Sequence, residues 1–102
     1  MDIKLVRRKV RAGEYDLSEH AHQERQEERI TVDEIEKTIL KGVIIEEYPK
    51  DPRGKSCLIG MKALHVVCGF RGERLLIVTN YRPKEPTWIN WKTRAKELKS
   101  RA

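Results

Sequence analysis

Three histidines stand in a chain crowded with arginine and lysine: His20, His22 and His65. An imidazole titrates near neutral pH, so it can take or give a proton under ordinary conditions. A guanidinium holds a phosphate through paired N–H donors. These two residue types suffice for metal-independent cleavage of RNA, in which the 2′-oxygen attacks its own phosphate. That reaction needs a group to take the 2′ proton, a group to protonate the leaving oxygen, and cations to meet the added charge. His20 and His65 are the candidates for moving protons, with Arg25 as the cation of the same catalytic set. His22, Arg29, Arg53 and Arg82 are candidates for contact with nucleic-acid phosphates, and Trp88, with Tyr81, for stacking a base.

Each candidate has a plainer reading beside it. His20 and His22 are two residues apart, so on a helix they point about 200° apart and cannot serve one atom together. His22, Arg25 and Arg29 share a helical stripe, which is either a phosphate-binding face or a solvated surface of Glu–Arg pairs. His20 adjoins Ala21 at the expected buried edge, where a structural histidine is the alternative. His65 alternates with Leu64 and Val66, so it projects from the opposite face of its strand. Arg53 falls in a turn and Arg82 after the last strand, and either is a phosphate clamp or simply exposed. Tyr81 and Trp88 can equally belong to the core. No His-x-x-x-His, Cys-x-x-Cys or glycine-rich phosphate loop is present, so no metal or cofactor is expected.

The elements that must position these groups centre on two apolar runs, Leu64–Phe70 and Leu75–Tyr81, separated by Arg71-Gly72-Glu73-Arg74. They read as a hairpin buried on both faces. Val43–Tyr48 and Ser56–Met61 supply two more strands, joined by the type I turn sequence Asp51-Pro52-Arg53-Gly54. If the next turn is Lys62-Ala63, Cys57 and Cys68 face each other as reduced, structural thiols. A polar helix is expected over about residues 17–28, capped by Asp16 or Ser18. A second helix opens on the capping box Thr31-Val32-Asp33-Glu34 and ends at Gly42. Residues 1–12 read as a basic arm or a first strand, 83–91 as irregular, and 92–102 as a basic, helix-favouring tail. The fold class expected is α+β: one domain over 1–102, with two N-terminal helices packed on one face of an antiparallel sheet of about four strands.

Hydrophobic content is 38%, charged content 37% and the net charge +6, concentrated at the two ends. Basic ends suit RNA or another polyanion, and equally an acidic protein partner. No apolar run approaches the roughly 20 residues of a membrane span, and a cytoplasmic location is expected.

Three stretches together resemble a known family: Ser18–Arg25 with Ile30-Thr31; Glu46–Leu58, which includes Tyr48-Pro49 and Asp51-Pro52-Arg53-Gly54; and Leu64–Val67 with Ile77–Pro83 and Trp88. They resemble the bacterial and archaeal domain-of-unknown-function family numbered four-two-five-eight. That family is similar in fold to the RelE/ParE and BrnT toxins. The resemblance implies a toxin-like domain of a toxin–antitoxin system, a metal-independent endoribonuclease. The alternative is a non-catalytic nucleic-acid- or protein-binding module of the same fold. The partners implied are RNA and an acidic or zinc-finger antitoxin, and an exposed sheet edge would allow a homodimer.

Overall fold

The computed structural model describes residues 1–94. Three helices, α1 (Ile3–Arg11), α2 (Glu19–Glu27) and α3 (Val32–Lys41), precede the long strands. The main sheet has five strands: β1 (Tyr15–Leu17), β2 (Val43–Tyr48), β3 (Ser56–Met61), β4 (Leu64–Arg71) and β5 (Arg74–Tyr81). Their spatial order is β1-β5-β4-β3-β2, so β2 and the three-residue β1 form the edges. Neighbours β2 to β5 run antiparallel, as short links demand, while β1 lies parallel to β5. Two short strands, β6 (Trp88–Asn90) and β7 (Thr93–Arg94), form a separate hairpin.

The mixed α+β class is as expected, with one more helix and one more sheet strand than the sequence reading held. Residues 1–12 are neither arm nor strand. Asp2 caps α1 by accepting from the backbone of Lys4 and Leu5, and Val6 and Val10 are buried one turn apart. That spacing is helical, whereas the Ile3–Leu5 alternation suggested a strand. Of the expected basic tail, Thr93-Arg94 is strand and residues 95–102 lie outside the described residues.

The capping box at Thr31 and Glu34 starts α3, which presents Ile35 and Ile39 to the sheet with no exposure. Each such aliphatic side chain contributes about 1.5–3 kcal/mol on burial. The helix ends in close contact with β3. A side chain on Gly42 would stand 2.5 Å from the Thr38 carbonyl oxygen and 2.7 Å from that of Gly60. Val6, Val10, Ala21, Ile30, Ile35 and Ile39 pack on Cys57, Ile59, Leu64, Val66, Cys68, Leu75 and Ile77. This is the helix-covered face of the sheet, and it is the main core. Cys57 and Cys68 are paired across β3 and β4 as free, buried thiols.

Alternation sends the other set of side chains to the second face. That face carries Ile45 and Glu46 from β2, Leu58 and Gly60 from β3, His65 and Val67 from β4, and Leu76, Val78 and Tyr81 from β5. A bulge between Val67 and Cys68 leaves Val78 as the extra residue of β5, since Val67 pairs with Thr79 and Cys68 with Ile77. Val78 and Thr79 therefore both face the same space, which a regular strand would not allow.

Candidate functional site

The second face is divided into an open half and a covered half. The open half is a concavity of about 600 Å³. Its floor is apolar, made of Val67, Leu76 and Val78, and its rim carries His20, Tyr48, Arg53, Lys55, Ser56 and Thr79.

His20 reaches this rim because of how α2 begins. Ser18 caps the helix by accepting from the Ala21 N–H at 3.0 Å, and its hydroxyl donates to the Val78 carbonyl at 2.9 Å. The Ser18 N–H donates to the Ile77 carbonyl at 2.9 Å. The first turn of α2 is thus pinned to β5 beside the bulge. One turn on, Glu24 faces His20, with 3.3 Å between Oε1 and the imidazole Nε2. Glu24 is itself held by the Thr79 hydroxyl and by the Asn80 N–H at 3.2 Å. A carboxylate behind an imidazole orients the ring. Across the concavity, Asp51 accepts from the Arg53 N–H at 2.9 Å, and its backbone carbonyl from the Gly54 N–H at 2.9 Å. These bonds make the tight turn expected from residue type, with Gly54 at a φ of +117° that favours glycine. The Arg53 backbone N–H and guanidinium hold the Asp51 carboxyl below its usual range. The turn leaves Arg53 and Lys55 exposed at the rim. One acid–base group and two cations therefore share a concavity with an apolar floor.

The covered half lies under a strap formed by residues 83–94. His65 is wholly buried there, although it was expected on an RNA-facing surface. Its Nε2 lies 2.5 Å from the Trp91 carbonyl oxygen, which can only accept, so Nε2 carries the proton. The Tyr81 hydroxyl then donates to Nδ1 at 3.1 Å. The ring also stands edge-on to Trp88, with centroids 4.5 Å apart. Burial lowers the His65 pKa below the ordinary imidazole range. Arg94 closes the strap. Its Nε and Nη2 donate to Glu46 at 2.6 and 2.9 Å, and its guanidinium lies over the Trp88 ring. The Arg94 hydrogen bonds hold the Glu46 carboxyl below its usual range. Burial and then Glu46 push the Tyr48 phenol up to about 12.

The remaining sequence candidates do not line the concavity. Arg25 is turned to the Ile30 carbonyl at 3.3 Å, with Nε buried. His22 and Arg29 are exposed, and Arg29 adopts a positive φ of 56° where α2 ends. Arg82 is fully engaged: it donates to Glu34 at 3.1 Å and to the carbonyls of Ala63 and Arg29, each at 3.3 Å. It ties the α2–α3 turn to the end of β5. Trp88 belongs to the strap and is buried against His65. Sequence reasoning passed over Glu24 and Lys55. Glu24 lies at the i+4 position from His20, the spacing that pairs side chains on a helix. Lys55 is two residues beyond Arg53. Among the described residues no three His, Cys, Asp or Glu side chains stand together as metal ligands.

No helix among the described residues is long and apolar enough to cross a membrane. No curated protein and no solved structure matches the chain significantly. Residues 17–82 match the family described as Domain of unknown function (DUF4258). The matched stretch runs from the end of β1 to Arg82 and contains the whole open concavity, so the chain belongs to the DUF4258 family.

Proposed function

We propose that this chain is a toxin-like domain of the RelE/BrnT type that acts on single-stranded RNA without a metal, the open half of the sheet being where the RNA lies. The observation that carries this reading is that His20, backed by Glu24, shares one concavity with Arg53 and Lys55. A nucleotide's base would rest on the floor of Val67, Leu76 and Val78, and its phosphate between Arg53 and Lys55. The apolar floor recognises no particular base edge, so binding would tolerate sequence. In the reaction, His20 takes the 2′-hydroxyl proton and the 2′-oxygen bonds to phosphorus. The bond to the 5′-oxygen breaks, and that oxygen takes a proton from water. Arg53 and Lys55 meet the charge that builds on the phosphate oxygens.

A second reading is supported by the enclosure of His65. With one imidazole in the concavity, the same surface would serve as an RNA-binding module without turnover. The two readings separate in one experiment. Purified protein is incubated with a labelled single-stranded RNA, and both retention and cleavage are followed for wild type and His20→Ala. The enzyme reading expects cleavage that falls about 10²-fold or more in His20→Ala with affinity kept. Binding without cleavage by the wild type selects the second reading, and no binding by either protein removes both.

A further inference from the structure

On the second face, polar groups are roofed while part of the apolar floor is left uncovered. The half left open to solvent is floored by Val67, Leu76 and Val78. The half roofed by the strap holds His65, Tyr81 and Glu46 beside the buried Leu58 and the half-buried Ile45. A roof serving only stability would cover the apolar half, because burying polar groups costs free energy unless every one is paired. The strap is also lightly built. β6 and β7 contribute three and two residues and belong to no ladder of the main sheet. Of its larger side chains only Trp88 is fully sheltered, while Ile89 remains 46% exposed. The rest of its hold is polar: the Trp91 carbonyl on His65, the Arg94–Glu46 pair and an exposed Lys84–Glu28 pair at 3.5 Å. The family match ends at Arg82, one residue before the strap begins.

We infer that the strap of residues 83–94 is a displaceable cover, and that lifting it adds His65 and Tyr81 to the open concavity as the second half of one RNA site. This rests on the reading of the concavity as an RNA site. His65 and Val67 are two residues apart on β4 and face the same side, so the uncovered surface would be continuous with the floor. Once in water, the His65 imidazole returns to the ordinary range, and its protonated form can supply the leaving 5′-oxygen with the proton that water otherwise provides. The 2′ proton still goes to His20, so the two imidazoles end the step with their protonation states exchanged.

The test uses the full chain and two variants that break the latch from opposite sides, Arg94→Ala and Glu46→Gln, each checked for retained fold by circular dichroism. Histidine acylation by diethyl pyrocarbonate, located by peptide mass spectrometry, reads exposure without reference to RNA. In wild type, exposed His20 and His22 should react quickly and His65 slowly. Loss of the charge-assisted bonds should raise the His65 rate about tenfold in either variant and tighten binding of a short single-stranded RNA. A folded variant in which His65 stays as protected as in wild type overturns the cover. Faster His65 acylation with RNA affinity unchanged overturns the place of His65 in the site. Faster acylation in a protein that binds no RNA in any form leaves the cover standing and removes the RNA reading instead.

Discussion

Removing the two rim cations should change how RNA binding responds to salt, by an amount the structure sets. Arg53 and Lys55 are exposed at the rim of the concavity. A single strand releases roughly 0.7 counterion for each phosphate neutralised, so two cations account for a slope of about 1.4 in log affinity against log salt. Between about 50 and 200 mM salt that slope is worth roughly sevenfold in affinity. The double variant Arg53→Gln/Lys55→Gln should therefore lose about 1.4 from the wild-type slope, whatever other cations contribute. Arg82→Gln is the control. Its guanidinium is spent on Glu34, Ala63 and Arg29, so the slope should not change. It should instead lose about 1 kcal/mol of stability, after allowance for its partial exposure. Fluorescence anisotropy with a labelled single-stranded RNA at four or five salt concentrations reads the slope, and urea unfolding reads the stability. A slope that falls with Arg82→Gln and holds in the double variant would refute the assignment of Arg53 and Lys55.

Two further outcomes test the covered half and the core. Burial depresses the folded-state pKa of His65, so between that value and the unfolded value near 6.5 the unfolded chain binds more protons. Stability should be full above about pH 6.5 and fall as pH drops through the folded value, by about 1.4 kcal/mol for each unit of depression. The groups facing the ring are Tyr81, Glu46 and Arg94. Glu46, held low by Arg94, adds its own loss only in the more acidic range of carboxylates. Urea unfolding from pH 8 to 5 should show the decline in wild type and a flatter curve in His65→Phe; equal curves would count against burial of the ring. At the base of α3, Gly42→Ala should cost about 2–3 kcal/mol, because the new carbon meets two backbone oxygens that cannot swing aside. A thermal melt within a degree of wild type would contradict that packing.

What could be read from the sequence was mostly local. Thr31 and Glu34 announce α3 because both halves of their capping box lie within four residues. Asp51-Pro52-Arg53-Gly54 announces its turn for the same reason, and the short Lys62-Ala63 link sets the register that puts Cys57 opposite Cys68. α1 was missed because Ile3, Leu5, Val6 and Val10 satisfy two periodicities, and the Asp2 cap that decides between them lies at the very start of the chain. β1 was missed because three residues that pair in parallel with a strand some sixty positions later leave no local pattern. The site divided the same way. His20 and Arg53 could be singled out from residue type, and the fold brings them to one concavity. His65 alternates as a surface residue should, and only the strap returning over it, from Trp88 to Arg94, encloses it. The engagement of Arg82 depends on Glu34 and on the Ala63 and Arg29 carbonyls, which come from two other links of the chain.

The most direct measurement is a nuclear magnetic resonance titration of the labelled protein with a short single-stranded RNA. Shifts should concentrate at His20, at Arg53–Ser56, and along Val67–Gly69 and Leu76–Thr79. Shifts confined to the outer surfaces of α1 and α3, with those residues unmoved, would contradict this.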